Sequence, residues 1–98
     1  MAKLKVSREA RTDIQEIVRY TKQEWGKEQA ERYVDGLEAL FQKLVSSPNM
    51  GRPSKLPLSG LREMNYQSHI VFYLTDSKRI NVARVLHSQM DAKKHFEK

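Results

Sequence analysis

The fold is decided by residues 61–87, which read LREMNYQSHIVFYLTDSKRINVARVLH. Three apolar or β-branched runs occur here, at residues 61–66, 69–74 and 80–87, and only turn-length links separate them. Links this short are typical of β-hairpins. The stretch therefore predicts three consecutive strands joined as two hairpins.

Two amphipathic helices are predicted upstream of these strands. The first follows Ser7, whose hydroxyl is suited to cap a helix N-terminus, and it ends at Gly26, a residue type that favours helix C-termini. Its apolar stripe repeats every three or four residues and comprises Ala10, Ile14, Ile17, Val18, Thr21 and Trp25. The periodicity predicts that Trp25 packs in the core.

The second helix is predicted over residues 27–45. Its stripe comprises Ala30, Tyr33, Val34, Leu37, Leu40, Phe41 and Leu44. Gly36 lies inside it at a cost of about 1 kcal/mol relative to alanine. Either this glycine lets the two helices approach closely or it is incidental. Two helices joined at Gly26 predict an antiparallel hairpin.

The remaining segments complete an α+β architecture. Residues 3–6 alternate polar and apolar as a short strand, residues 46–60 are a loop rich in proline and glycine, and the last residues form a short basic helix or tail. Packing the helical hairpin on one face of the sheet is the arrangement that buries both apolar surfaces. We therefore expect a single two-layer domain over residues 1–98, with the order β-α-α-β-β-β and a mainly antiparallel sheet.

The composition excludes several classes of protein. There are no cysteines, which rules out a disulfide framework and a cysteine zinc site. No apolar run approaches the roughly 20 residues of a membrane span, and no signal-peptide core follows the first methionine. We expect a soluble, cytoplasmic protein without membrane contacts.

The charge balance points to an acidic partner. The chain has 18 lysines and arginines against 12 acidic residues, a formal net charge of +6. Nucleic acid or an acidic protein would fit such a surface, although charge of this size also serves solubility alone. Arg8, Arg11 and Arg19 on the first helix are candidate contacts, but interspersed acidic residues leave an ordinary solvated face as the alternative.

Arg62, Arg84 and His87 are the candidates for a polar site. A metal-independent ribonuclease needs an acid or base near neutral pH, which histidine supplies, and cations for the phosphate, which arginines supply. Strict alternation along the last strand, however, puts Arg84 and His87 on opposite faces unless the strand ends or bends before His87. No second acid or base is evident beside His87. A catalytic site, a binding surface and a purely structural strand end all stay open.

No metal or cofactor is expected. The spacing of His69, His87 and His95 matches no ligand motif. The chain also contains neither a glycine-rich phosphate loop nor a nucleophile elbow.

An ordered series of short motifs runs along the whole chain. It comprises Ser7-Arg8-Glu9-Ala10 with Asp13-Ile14, Ile17-Val18-Arg19-Tyr20, Trp25-Gly26, Gln29-Ala30 with Tyr33, Ser47-Pro48-Asn49-Met50-Gly51-Arg52-Pro53, Gly60-Leu61-Arg62, His69-Ile70-Val71-Phe72-Tyr73, and Arg84-Val85-Leu86-His87 with Asp91. In this order the motifs resemble the ParE toxins of the RelE/ParE superfamily.

The resemblance implies the toxin of a bacterial type II toxin–antitoxin system. ParE-like toxins inhibit DNA gyrase and block replication, and a ParD-like antitoxin that also binds DNA holds them inactive. The RelE branch instead cleaves mRNA at the ribosome, and Arg62, Arg84 and His87 lie at positions like those of its basic and acid–base residues. This chain lacks the tyrosine that often ends the RelE site, which favours a non-enzymatic gyrase inhibitor; the RelE-type ribonuclease is the alternative. In the ParE interpretation, Arg62, Arg84, His87, Arg8, Arg11 and Arg19 are expected to contact partners.

Overall fold

A computed structural model of the protein describes residues 3–76 and 78–96. Within them lie β1 (Lys3–Val6), α1 (Arg8–Trp25), α2 (Lys27–Ser46), β2 (Arg52–Pro53), β3 (Arg62–Tyr66), β4 (His69–Thr75), β5 (Arg79–His87) and a 3₁₀ helix at Ala92–His95. The predicted α+β order is confirmed. The two-residue strand β2 was not predicted, because two residues are too few to show a strand periodicity. Ser77 of the predicted 75–79 turn and the last two residues of the predicted tail lie outside the described residues.

The strands form one five-stranded sheet in the order β1-β5-β4-β3-β2. β1 runs parallel to β5, and the other three pairs are antiparallel, as a mainly antiparallel sheet requires. Both predicted hairpins, β3–β4 and β4–β5, are present. Parallel neighbours need a long crossover, and the helical hairpin is part of the connection that carries the chain from β1 to the rest of the sheet.

The ends of α1 are set by the two residues predicted to set them. The Ser7 hydroxyl accepts a hydrogen bond from the backbone N–H of Ala10 at 3.0 Å and donates one to the carbonyl of Ala83 at 2.8 Å. Gly26 adopts φ +94°, and its N–H donates to the carbonyl of Lys22. Ser7 thus both starts α1 and fastens it to β5.

Apolar side chains cover both faces of the sheet. The helix-facing core comprises Ala10, Tyr33, Leu37, Phe41, Leu44, Val71, Tyr73, Ile80, Val82 and Val85. On the opposite face a smaller cluster forms around Phe72 and Leu86, against which Leu56 of the loop and Phe96 of the C-terminal segment pack. The rings of Phe72 and Phe96 meet edge to face at 5.3 Å. The loop and the C-terminal segment therefore cover the apolar cluster on the second face of the sheet.

The alternation predicted for β5 is wrong beyond Val82. Tyr73 pairs with Val82 whereas Phe72 pairs with Arg84, so Ala83 is an extra residue in the strand. Such a bulge resets the alternation. As a result Val82 and Val85 share the helix-facing core. This extra residue precedes both Arg84 and His87, and the pairing from Phe72–Arg84 to His69–His87 is continuous, so no bend separates the two residues and their predicted alternation is kept.

The core placement predicted for Trp25 is also wrong. The stripe of α1 is completely buried at Ala10, but at Trp25 the side chain is 74% exposed. Ile14, Ile17 and Val18, between these ends, are half-buried. The apolar face of α1 thus continues past the part of the helix that packs on the core.

Gly36 serves a contact that neither sequence alternative described. Tyr66 of β3 lies over it, and a β-carbon at this position would overlap the tyrosine hydroxyl. That hydroxyl donates to the backbone carbonyl of Tyr33 at 2.8 Å. The glycine therefore admits a sheet side chain to the surface of α2 rather than a second helix.

Candidate partner-binding groove

A groove of about 700 Å³ opens between α1 and the C-terminal half of β5, and is termed the α1–β5 groove. β1 pairs only with residues 79–82 of β5, after which the chain turns at Ser7 into α1. The second half of β5 consequently has a helix, not a strand, beside it. The groove is lined by Asp13, Glu16, Ile17, Tyr20, Thr21, Trp25, Gln29, Tyr33, Gln67, Ser68, His69, Arg84, Val85, Leu86, His87, Met90 and His95.

Asp13 accepts hydrogen bonds from the edge of β5 within this groove. Its carboxylate accepts from Nε and Nη2 of Arg84, both at 2.8 Å, and from the backbone N–H of Val85 at 3.0 Å. The side chains of Asp13 and Arg84 are only 10% and 19% exposed. The hydrogen bond that Arg84 donates to Asp13 raises the pKa of Arg84 above its usual value despite partial burial. Arg84 is thus held in a bidentate ion pair, and an edge donor of β5 is already used.

Histidine and tyrosine rings form a cluster beside this ion pair. His69, the first residue of β4, lies opposite His87, the last residue of β5, with ring centroids 5.4 Å apart. Nδ1 of His69 lies 3.3 Å from the hydroxyl of Tyr33, and the ring of Tyr66 packs on Tyr33. Burial, with a smaller contribution from His87, lowers the pKa of His69. Burial likewise raises the pKa of Tyr33 and of Tyr66.

Three large apolar side chains in the groove are open to solvent. Trp25 is 74% exposed, Tyr20 54% and Met90 50%. Among the described residues, the other exposed large apolar side chains are Met50 and Leu58, both at 39% and both outside the groove. Exposed aromatic groups gathered in one concave site are characteristic of binding surfaces.

Arg62 lies away from Arg84 and His87. It is on β3, and β4 separates β3 from β5. Its Nε donates to the carbonyl of Gly51 at 3.1 Å, and its Nη2 donates to the carbonyls of Asn49 and Gly51. Two of the three predicted polar residues, Arg84 and His87, therefore line one groove, whereas Arg62 holds the loop in place.

The three α1 arginines have a different position. Arg8, Arg11 and Arg19 are exposed on α1 and do not line the groove. Any partner that contacts them must extend beyond the groove itself.

Sequence reasoning missed Tyr20, Trp25, Met90 and His69 as groove residues. One of them had a usable signal: in a hairpin built from residues 69–74 and 80–87, the first residue of one strand faces the last residue of the other, which places His69 near His87. The exposure of the other three depends on where the sheet ends, which no local pattern reveals.

Metal binding finds no support in the part of the chain that the structure describes. Across residues 3–76 and 78–96, no three histidine or carboxylate side chains are grouped so that they could hold a metal ion. Within the same residues, no helix has the length and apolar character needed to cross a membrane.

Comparison with solved structures defines the class of protein. The fold matches a structure described as the chromosomal ParDE toxin–antitoxin system from P. aeruginosa with a TM-score of 0.77 and 25% identity, covering 89% of this chain and 96% of that one. It also matches the toxin–antitoxin complex RelBE2 from Mycobacterium tuberculosis with a TM-score of 0.66, at 17% identity, over 91% of this chain and 93% of that one. The architecture is that of the RelE/ParE superfamily.

Sequence comparison gives the family within that class. The model of the family described as "ParE toxin of type II toxin-antitoxin system, parDE" matches residues 4–92. Toxin ParE1 of Caulobacter vibrioides is 37% identical over 96 residues, spanning 98% of this chain and 99% of the relative. Toxin ParE of Escherichia coli is 32% identical over 84 residues, spanning 85% and 82%. This chain belongs to the ParE toxin family of type II toxin–antitoxin systems.

Proposed function

We propose that this ParE toxin inhibits DNA gyrase by protein–protein contact in the cytoplasm and so blocks replication. The observation that carries the non-enzymatic reading is the position of Arg62. Its guanidinium donates to loop carbonyls, and β4 lies between its strand and that of Arg84 and His87. A ribonuclease site that used all three residues would have to break these hydrogen bonds first.

A supercoiling assay with purified gyrase tests the target. The toxin is expected to inhibit supercoiling in proportion to its concentration and to trap cleaved DNA. If supercoiling proceeds normally with excess toxin and no cleaved DNA accumulates, gyrase is not the target. Mapping of cellular transcripts after toxin induction is the companion measurement, and intact messages during growth arrest are expected.

We also propose that a ParD-like antitoxin neutralises the toxin by filling the α1–β5 groove. The solved structure that this fold resembles at 25% identity is described as a ParDE toxin–antitoxin system. The groove supplies what a partner helix would cover, namely the exposed side chains of Tyr20, Trp25 and Met90. Helix-in-groove recognition uses apolar anchors of this kind.

The antitoxin is expected to be acidic outside the segment that enters the groove. The chain has a net charge of +6, and Arg8, Arg11 and Arg19 lie exposed on α1 beyond the groove. An extended acidic segment that folds on binding would complement them. In this arrangement apolar contacts provide most of the affinity and the arginines accelerate association.

Co-expression with the product of the adjacent reading frame tests the antitoxin. Restored growth and a co-purified complex are expected, with slower hydrogen exchange in α1 and in the second half of β5. A complex in which both segments exchange as fast as in the free toxin would place the antitoxin elsewhere. A toxin that arrests growth whatever is co-expressed would remove the neighbouring gene as its antitoxin.

A further inference from the structure

All three histidines of the chain line the α1–β5 groove. Among the described residues, no lysine lines it, and its arginine is neutralised by Asp13. The side chains that normally titrate near neutral pH are thus concentrated in the surface proposed to bind the antitoxin, while the excess positive charge of the chain lies elsewhere.

His69 is held in a position that favours its neutral form. Its ring is half-buried between the rings of Tyr33 and His87, whose centroids lie 5.6 and 5.4 Å away. Nδ1 faces the Tyr33 hydroxyl, which is a donor when the imidazole carries its proton on Nε2. A proton added to His69 would create a charge in partly apolar surroundings beside a second imidazole.

The ring of His87 contacts the backbone of the turn that follows β5. Its Nδ1 accepts a hydrogen bond from the N–H of Gln89 at 3.1 Å. Protonation of this nitrogen would remove the acceptor and set two donors against each other. The turn that follows β5 therefore depends on an unprotonated Nδ1 at His87.

Other titratable and charged groups face this pair from each neighbouring element. They are Asp13, Glu16 and Tyr20 of α1, Tyr33 of α2, Tyr66 of β3, Arg84 of β5 and His95 of the 3₁₀ helix. Asp13 is occupied by Arg84, and within the described residues no carboxylate forms an ion pair with His69 or His87.

We propose that the antitoxin segment lying over His69 and His87 is apolar and carries no carboxylate there, so that the complex forms with both imidazoles neutral and weakens as the solution becomes acidic. This inference rests on the proposed docking in the groove, and it adds the chemistry of the occupant and a proton linkage. The apolar neighbours Trp25, Tyr20 and Met90 favour the same occupant.

The direction of the pH effect follows from burial. A partner that covers the imidazoles removes water from them, which disfavours their charged form. A group that is harder to protonate in the complex than in the free toxin leaves affinity at its maximum above its free pKa. Below that pKa the affinity falls, by up to about tenfold per pH unit for each proton excluded.

The test is the dissociation constant of the toxin with the co-expressed antitoxin from the adjacent reading frame, measured at about pH 7.5 and about pH 5.5. We expect affinity to fall at least about fivefold on acidification, since imidazole side chains ordinarily charge over this pH range. The His69→Asn/His87→Asn variant keeps an acceptor near each Nδ1 position but cannot charge, and its affinity should change much less. Lys43→Asn, an exposed substitution on α2 outside the groove, is the control and should keep the wild-type pH dependence.

The outcomes separate the inference from the proposal on which it rests. Absence of binding at the higher pH contradicts docking of that antitoxin altogether. Equally tight binding at both pH values overturns only the inference, because it shows that binding excludes no proton from the histidines. Binding that strengthens in acid overturns it too, because it implies a carboxylate over the histidines. Equal pH dependence in the wild type and in the double variant overturns it as well.

Imidazole NMR titration of the wild type provides a readout independent of the variants' folding. The pKa of His69, already lowered by burial, should decrease further when the antitoxin is bound. An increase would show that the partner brings negative charge to the cluster, and would overturn the inference.

Discussion

Two regions of this toxin bring polar side chains and tyrosines together at strand ends, and they differ in how their hydrogen-bonding groups are used. One is the loop corner, formed by Pro48, Asn49, Gly51, Arg62 and Tyr73. There the completely buried Tyr73 donates to the carbonyl of Pro48 at 2.8 Å and accepts from the N–H of Gly51 at 3.0 Å. Arg62 donates to the neighbouring carbonyls.

The other region is the α1–β5 groove, where only some of the side chains have their contacts within the chain. The Asp13–Arg84 pair is internally satisfied, but Trp25, Tyr20 and Met90 remain open to solvent. Apolar surface left exposed in a concave site contributes little to folding and is available to a partner. The difference teaches that strand-end arginines and tyrosines indicate function only when their contacts are incomplete within the chain.

The largest expected effect on stability comes from removing the Asp13 carboxylate, whose hydrogen bonds lie within the chain. Asp13→Ala leaves the Arg84 guanidinium and the Val85 N–H without their acceptor in a mostly buried place. We expect a loss of about 3 kcal/mol in the free energy of unfolding, measured by urea denaturation. The control is Glu16→Ala, an exposed carboxylate on the same helix, which should change stability by less than about 0.5 kcal/mol. Equal effects of the two variants would show that the Asp13 contacts add nothing to folding.

A smaller loss of stability is expected when a methyl group is added at Gly51 in the loop corner. A β-carbon at Gly51 would lie 2.6 Å from the Tyr73 hydroxyl and 2.7 Å from the backbone carbonyl oxygen of Glu63. Because one of these neighbours is backbone, the strand itself must move, and Gly51→Ala should cost about 2 kcal/mol in urea denaturation. At temperatures where the variant stays folded, antitoxin affinity should match that of the wild type. Weakened binding by the folded variant would mean that the corner and the groove are coupled.

For Trp25, a solvent-exposed residue of the groove, we expect weaker antitoxin binding with almost no change in stability. Trp25→Ala should reduce antitoxin affinity by about tenfold or more, since exposed tryptophans in interface centres often dominate binding, while stability changes by less than about 0.5 kcal/mol. Met50→Ala, an exposed apolar side chain outside the groove, is the matched control and should affect neither quantity. Trp25 is the single tryptophan of the chain, so its fluorescence should shift to shorter wavelength when the partner covers it. Fluorescence unchanged by antitoxin binding would contradict its burial in the complex.

Local patterns were sufficient to predict most of the fold. Ser7 and Gly26 end α1 as expected because capping depends on neighbouring residues alone. The hairpins follow from short links between apolar runs. The extra residue at Ala83 and the end of the core before Trp25 were not predictable in this way, since both depend on how the sheet meets the helices.

The groove was harder to predict than the fold. Arg84 and His87 were identified as a pair, but the partners that determine their roles, Asp13 and His69, lie far away in sequence. Arg62 was grouped with them because its residue type fits a phosphate site, and its engagement by a loop carbonyl leaves no trace in the local sequence. Partner contacts of Arg62, Arg84, His87, Arg8, Arg11 and Arg19 stay predictions.

The smallest effect is expected at Gly36 of α2, which, like Gly51, lies against a tyrosine hydroxyl. Gly36→Ala also meets a tyrosine hydroxyl, but here the obstacle is the end of the half-buried Tyr66 side chain, which can turn aside. Loss of the hydrogen bond from Tyr66 to the carbonyl of Tyr33 costs about 1 kcal/mol, and alanine in a helix interior recovers about as much. We therefore expect a net change below about 1 kcal/mol in urea denaturation, smaller than that of Gly51→Ala. In a Tyr66→Phe background the obstructing hydroxyl is absent, and Gly36→Ala should then become stabilising. If Gly36→Ala lowered the free energy of unfolding as much as Gly51→Ala in both backgrounds, the contact between Tyr66 and α2 would be packed as rigidly as the loop corner.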